Sequence, residues 1–239
     1  MSENTTKNKT VETNAARSRD QVSNDRRTFL KIGGAGLAAL ALGGAARTTV
    51  FGQGQQTINL GTGDIGILNF AFLLEQLEAD FYSRVVTNSF FTGSTAEERQ
   101  ILTDLRDHEI IHREFFKAAL GTNGIPQLPA FNFSLVDFNS RDSVLTNAQN
   151  MEDTGVAAYN GAGQALVSPD ALTIAGKIVS VEGRHAAAIR DLRIPRNGYF
   201  APHSEDFALD PLDVLSLVKP FIPANITIDA SGLPRVIGV

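Results

Sequence analysis

The chain has 239 residues, 43% of them hydrophobic, and it contains no cysteine and no tryptophan. The lack of cysteine excludes disulfides, thiolate metal sites and a cysteine nucleophile. The formal charge is −5, and without residues 1–46 the remaining 14 basic and 22 acidic residues give −8. So acidic a chain, without a basic stripe, is a poor nucleic-acid binder.

The first 46 residues combine a polar start, a basic pair and an apolar run. Arg26 and Arg27 precede the sequence TFLK, and residues 32–46 are rich in Gly, Ala and Leu. A basic region followed by an apolar region and small residues indicates a cleavable export signal. The arginine pair resembles a twin-arginine signal, which implies recognition by the Tat export machinery and an exported, periplasmic location. An uncleaved anchor is the alternative, although a membrane span needs about 20 apolar residues.

Residues 47–63 are interpreted as a linker, with signal cleavage after either Ala46 or Gly52. The first predicted helix begins after Asp64, a residue type favoured at N-caps, and extends to about Val86. Its apolar residues recur with helical periodicity over a wide face. Glu75 lies on the same stripe, where a carboxylate is costly unless it is paired or bound to a metal ion.

A turn at residues 88–93 leads to the second predicted helix, from about Ala96 to Leu120. Thr95 and Glu98 form a capping box at its start. Gly121 follows its last residue, where glycine commonly ends helices.

The second helix carries Glu109 and His112, which are three residues apart. This spacing places a carboxylate and an imidazole on one helix face, with their Cβ atoms roughly 5–6 Å apart. A single copy of so short a motif is more often a surface Glu and His than a metal site. Glu182 and His185 form a second copy, and the chain has only four histidines. His108 precedes the first copy and is interpreted as a solvated or interfacial residue on another face.

Residues 121–141 form a long, proline-containing connection, which predicts a crossover packed on the surface. The third predicted helix runs from Asp142 or Ser143 to Asn160 or Gly161. The fourth starts with Ser168 as its N-cap, ends at about Leu192 and carries Glu182 and His185. Residues 194–239 are interpreted as an ordered C-terminal extension with a short helix from Pro211 to Val218, capped by Asp210.

The first and third helices each carry an inward Glu followed seven residues later by a Tyr. These pairs are Glu75 with Tyr82 and Glu152 with Tyr159, in a chain with three tyrosines. The order is therefore Glu, Glu-x-x-His, Glu, Glu-x-x-His, which repeats in the two halves of the chain. Such a repeat predicts a pseudo-two-fold bundle with the long connection between its halves.

This pattern resembles the ferritin-like superfamily of dimetal-carboxylate bundles. More closely, it resembles exported bacterial ferritin-like domain proteins and the related plant desiccation-related proteins. The resemblance covers residues 64–193, and its most characteristic strings are residues 68–82, 152–159 and 181–188. It implies an all-α fold, a ferritin-like four-helix bundle with a long crossover between the second and third helices and a C-terminal extension.

The resemblance also implies two divalent metal ions, iron or manganese. The implied metal ligands are Glu75, Glu109, His112, Glu152, Glu182 and His185. Four carboxylates offset two divalent ions, and ligands of this kind suit iron or manganese better than zinc. Glu78 is an alternative ligand beside Glu75. Tyr82 and Tyr159 are either core aromatics or hydrogen-bond donors to the ligands.

Three functions remain open on the sequence. The first is a redox enzyme acting on Fe(II) or peroxide in oxidative or desiccation stress. The second is metal binding or storage, and the third is a structural, stress-protective role. The expected partners are a small-molecule oxidant or a metal ion, with a homo-oligomer possible. One fold hosts many chemistries, so the resemblance favours the fold and the metal more strongly than the reaction.

Overall fold

The structure is a computed structural model that describes residues 54–196 and 198–236. The predicted export signal, with Arg26 and Arg27, lies outside the described residues. Among the described helices, none combines the length and the apolar composition that crossing a membrane requires.

Four long helices and several short elements make up the described chain. In chain order they are β1 (Gln56–Asn59), α1 (Gly63–Val85), α2 (Ser89–Gly93), α3 (Ala96–Leu120), α4 (Arg141–Gly163), α5 (Pro169–Arg193), α6 (Pro211–Val218) and β2 (Ile226–Asp229). Helix α1 packs mainly against α3, and α4 against α5; α1 also contacts α4, and α3 contacts α5. The predicted all-α helical bundle is confirmed.

Local capping explains where the bundle helices begin and end. The Thr95 hydroxyl accepts a hydrogen bond from the Glu98 backbone N–H (3.1 Å), and Ser168 caps α5 in the same way. These bonds satisfy backbone donors that a helix leaves unpaired in its first turn. Gly121 ends α3 with a φ of 52°, a left-handed conformation that glycine adopts without steric cost.

The prediction that Asp64 caps α1 is wrong. Thr62 occupies the N-cap position, and Asp64 lies in the first turn. The Asp64 carboxylate instead accepts hydrogen bonds from the backbone N–H groups of Val167 (2.9 Å) and Ser168 (2.7 Å). These N–H groups lie just before α5, so the residue ties the start of α1 to the α4–α5 link.

The connection between α3 and α4 is held along α1 by polar side chains, of which Asn69 and Gln76 are buried. Asn69 Oδ1 accepts a hydrogen bond from the backbone N–H of Ile125 (2.8 Å), and Gln76 Oε1 accepts one from Leu128 (2.7 Å). Asp80 similarly accepts a bond from the N–H of Phe131. The acceptor residues on α1 and the donor residues on the connection follow one another in the same chain direction, so the connection runs parallel to α1. It therefore crosses the bundle, as the sequence predicts.

The ends of the described chain meet in a short parallel sheet. Strand β1 pairs with β2 in the register Gln56↔Ile226 to Asn59↔Asp229. Strand β1 lies inside the segment interpreted as a linker, and helix α2 occupies the predicted turn. Leu209, in the segment before α6, donates its backbone N–H to the carbonyl of Ala157 (3.0 Å). The C-terminal extension thus packs against α4.

Candidate metal centre

The six predicted ligands lie halfway along the four long helices. Glu75, Glu109, Glu152 and Glu182 each occupy the middle of their helix, and all four are 0% exposed. His112 and His185 follow one turn after a Glu on α3 and α5, and both are buried. Because the residues share one level of the bundle, their side chains converge on its axis. Whether they bind metal stays a prediction.

The ligand atoms form two overlapping groups. They are Glu75, Glu109, His112 and Glu182, and Glu109, Glu152, Glu182 and His185. In each group, one atom from every residue lies within 4.8 Å of the others. A metal ion about 2.0–2.2 Å from its N and O ligands keeps them within about 4.4 Å of one another, so each group can hold an ion after a small contraction. Glu109 and Glu182 belong to both groups.

The two groups are related by an approximate two-fold axis. His112 Nδ1 lies 2.9 Å from Glu182 Oε1 and 3.3 Å from Glu109 Oε2. His185 Nδ1 lies 2.8 Å from Glu109 Oε1 and 3.2 Å from Glu182 Oε2. Both imidazoles therefore turn the Nδ1 atom towards the shared carboxylates.

Glu75 and Glu152 each belong to one ligand group only, and these unshared carboxylates follow the same approximate two-fold symmetry. His112 Nδ1 lies 3.3 Å from Glu75 Oε2, and His185 Nδ1 lies 3.4 Å from Glu152 Oε2. Each unshared glutamate therefore faces one imidazole only. This leaves Glu75 at one end of the site and Glu152 at the other.

Two tyrosines hold the unshared carboxylates across the α1–α4 contact. The Tyr82 hydroxyl on α1 donates to Glu152 Oε1 on α4 (2.5 Å), and Tyr159 on α4 donates to Glu75 Oε1 on α1. The sequence left open whether Tyr82 and Tyr159 are core aromatics or hydrogen-bond donors to the predicted ligands. The structure shows that both hydroxyls are donors. Each bond fixes one carboxylate oxygen and leaves the other facing an imidazole.

Burial and mutual charge decide where protons reside in the metal-free centre. Burial raises the pKa of both Glu75 and Glu152 to about 8. Burial opposes the charged form of His112 and His185, but the surrounding carboxylates outweigh it and raise both imidazole pKa values well above their ordinary range.

The shared carboxylates behave in the opposite way. Burial raises the pKa of Glu109, but His185 and His112 outweigh burial and leave that pKa lowered. Burial and the charge of Glu109 raise the pKa of Glu182, and interactions with the two imidazoles again leave it lowered. At neutral pH the six groups thus carry two positive and two negative charges.

The donor set fits cations on a further observation. Glu75 Oε2, both oxygens of Glu109, Glu152 Oε2 and Glu182 Oε1 are buried, and within the described part of the chain they face only the Nδ1 atoms of His112 and His185. Two imidazole nitrogens for five buried carboxylate oxygens leave the cluster short of positive partners, which is costly. Metal ions would satisfy these oxygens, because they need acceptor atoms and no hydrogen-bond donor.

His108 is closer to the centre than the sequence interpretation allowed. Its Nδ1 lies 2.9 Å from Nε2 of His185, and the two rings are stacked with an interplanar angle of 12°. Burial, then the charges of His185 and His112, lower the pKa of His108, which favours a neutral acceptor. The sequence feature that indicates this proximity is the position of His108 four residues before His112, a spacing that places both side chains on one side of α3.

Glu78 lies one turn after Glu75 and belongs to neither ligand group. It is 4% exposed, and burial followed by the charges of the four central glutamates raises its pKa well above the ordinary range. A Cβ atom built on Gly155 would lie 3.1 Å from Glu78 Oε1, so glycine leaves room for this carboxyl group. Glu78 also lines a cavity of about 540 Å³ between α1, α4 and the C-terminal segment.

Comparison with known protein families places the four long helices in one domain family. A family model described as a ferritin-like domain matches residues 63–194, more than half of the chain. The matched segment contains the four long helices and all six predicted ligands. A search of the curated proteins found no match.

Proposed function

Because this chain belongs to the ferritin-like domain family, we propose that its central residues hold a dinuclear iron or manganese centre. Glu109 and Glu182 would serve both ions. Glu75 and His112 would hold one of the ions, and Glu152 and His185 would hold the other. The observation that carries the proposal is that the two ligand groups share two carboxylates.

Charge and ligand type favour these metals. The four glutamates, once ionised, offset two divalent ions, so a fully loaded centre is close to neutral in its buried site. The nitrogen and oxygen donors suit iron and manganese, whereas structural zinc sites more often use four ligands with some sulfur. The chain has no cysteine to supply sulfur.

We propose that the centre performs redox chemistry on Fe(II) or peroxide. When bound, two redox-active ions would supply the electron transfer. The protein's own residues prepare the site: Tyr82 and Tyr159 orient the end carboxylates, and His108 orients His185. The cavity at Glu78 supports a reactive site over a purely structural one, because a structural ion needs no adjoining space.

The predicted leader extends the proposal to location. We propose that the chain folds and binds metal before the Tat machinery exports it through Arg26 and Arg27. Metal loading before export lets the cell choose the metal, whereas affinity order alone favours copper or zinc over iron or manganese. The resemblance to desiccation-related proteins supports a role in oxidative or desiccation stress.

Elemental analysis of the protein purified from its own host, followed by assays of Fe(II) oxidation and peroxide consumption, tests the function. We expect iron or manganese, and turnover that Glu109→Gln abolishes because the residue common to both ligand groups loses its negative charge and one ligand oxygen. A matched control is Glu114→Gln, since Glu114 lies on α3 at the surface beside Arg113. A protein that carries two ions but turns over neither substrate would instead favour metal storage or a structural role.

A further inference from the structure

The cavity beside the centre is much larger than the reactants proposed above require. Its volume is about 540 Å³. One water molecule, which is close in size to peroxide, takes up about 30 Å³ in the liquid. Pockets for organic ligands typically measure about 300–1,000 Å³. The size therefore favours an organic molecule.

The cavity wall is mostly apolar. Side chains from α1, α4 and the C-terminal segment form this wall, among them Leu74, Leu77, Met151, Phe207, Leu217 and Phe221. Apolar side chains cannot replace the hydration shell of an ion, so the cavity disfavours hydrated cations. They do favour a ligand with an apolar body, because both surfaces leave water on binding.

Glu78 supplies a polar group at the wall nearest the centre. It is 4% exposed, and its carboxyl group lies against Gly155 of α4, where an added Cβ atom would come within 3.1 Å of Glu78 Oε1. A carboxyl group in this position gains from a hydrogen-bonding partner inside the cavity. The remaining polar lining residues lie on α4 and include Asn147, Asn150 and Thr154.

We propose that this cavity binds a small organic molecule with a largely apolar body and one hydrogen-bonding end, such as a phenol or an alcohol. The polar end meets Glu78, and the body lies between α4 and the C-terminal segment. That this molecule is a substrate of the metal centre rests on the function proposed above, whereas its binding does not.

The C-terminal segment gives the cavity its outer wall. The hydrogen bond from Leu209 N–H to the Ala157 carbonyl fastens the segment to α4. Phe207 precedes this bond, and Leu217 and Phe221 follow it on and after α6. Residues outside the four long helices thereby acquire a role in ligand binding.

Fluorine NMR with para-(trifluoromethyl)phenol as the probe tests the binding on the metal-free full-length protein. We expect saturable binding of one probe per chain. Thr154→Trp fills the cavity and should weaken binding at least tenfold. Leu172→Trp is the matched control, because Leu172 is exposed on α5 away from the cavity. It should leave binding unchanged, and circular dichroism checks that both variants fold.

A second variant, Leu217→Trp, keeps the test decisive if Thr154→Trp does not fold. Leu217 lines the cavity but is largely exposed on α6, so Leu217→Trp should narrow the entrance without disturbing the core. Weaker binding in Thr154→Trp or Leu217→Trp, with normal binding in Leu172→Trp, supports the cavity. Absence of saturable binding, or equal affinity in all three folded variants, overturns it.

The same probe with Mn(II)-loaded protein tests the position of the ligand. Bound probe should show strong paramagnetic broadening of its fluorine signal, because the cavity adjoins the centre. No broadening in protein that holds Mn(II) and binds the probe would overturn the placement beside the centre. Probe binding by a protein that takes up no Mn(II) would contradict the metal centre and still support the cavity.

Discussion

At the scale of single residues, protons occupy the metal-free centre where metal ions would otherwise balance its charge. Protonated His112 and His185 pair with ionised Glu109 and Glu182, while the raised pKa values of about 8 keep Glu75 and Glu152 neutral. The metal-free centre is therefore close to neutral, as a centre with two divalent ions would be. Metal binding must displace these protons.

The pH dependence of stability follows from these pKa values. Glu75 and Glu152 titrate near 4.5 ordinarily and near 8 when folded. Between these values the folded state holds more protons than the unfolded state, so the free energy of unfolding falls as pH rises. The raised pKa values of His112 and His185 also make the free energy of unfolding fall with rising pH, starting from their ordinary pKa of 6.5. The lowered pKa values of Glu109 and Glu182 act oppositely, but only below about pH 4.5.

We therefore expect the melting temperature of the metal-free protein to fall between about pH 5 and pH 9. Calorimetry with and without Mn(II) measures it, and the metal should raise the transition most at high pH. A metal-free transition that rises across this range would contradict the protonation states given above.

His108 should control metal affinity through His185. When His185 binds metal through Nδ1, its proton lies on Nε2 and is donated to His108. We expect His108→Ala to weaken metal binding about 10–100-fold, the usual effect of removing such an orienting partner. Chelator competition measures this effect. His108→Gln, which keeps an acceptor, should recover part of the loss, and His203→Ala, at an exposed residue, is the control. Unchanged affinity in His108→Ala would exclude this role.

At the scale of elements, close approach of the C-terminal segment to α4 depends on glycine. A Cβ atom on Gly161 would lie 1.8 Å from the Leu209 carbonyl oxygen, which is a severe overlap with backbone. Gly176 on α5 has no atom within 4 Å of the same position. The two helical glycines therefore differ in environment and make a matched pair.

We expect Gly161→Ala to destabilise the protein by about 1–3 kcal/mol, because the segment must move away from α4. Gly176→Ala should be neutral or stabilising by up to about 1 kcal/mol, since alanine favours helix. Urea unfolding measures both changes. Equal stability of the two variants would mean that the segment does not press on α4.

Local sequence signals predicted the helices well and the other contacts poorly. Thr95, Gly121 and Asp210 act on neighbouring residues, and the bounds of α3 and α6 agree with those predicted from them. The six residues at the helix midpoints also followed from the repeated motif. The pairing of β1 with β2 joins segments about 170 residues apart, for which neither strand carries a local signal. The cavity depends on the same distant C-terminal segment.

At the scale of the whole molecule, the centre exists only in the folded bundle. Its six groups come from four helices, two in each half of the chain, so the unfolded chain has no preformed site. A twin-arginine route, which carries folded proteins, would deliver the centre already loaded. The proposed export and the proposed metal centre are therefore linked.

We expect the double variant Arg26→Lys with Arg27→Lys to leave a folded, metal-loaded precursor in the cytoplasm. The matched control is Arg17→Lys with Arg19→Lys, which changes the same residue type upstream of the pair. Cell fractionation with metal analysis measures the outcome. Continued export of the Arg26 and Arg27 variant, or a precursor that accumulates without metal, would contradict the route.

The most direct test of the dinuclear centre is a titration of the metal-free protein with Mn(II) at about pH 7, following bound metal and released protons together. We expect two ions per chain and the release of about four protons, from His112, His185, Glu75 and Glu152. Glu75→Gln should keep one ion, and Glu109→Gln should lose both. One ion or none in the unaltered protein, or two ions bound without proton release, would contradict the account.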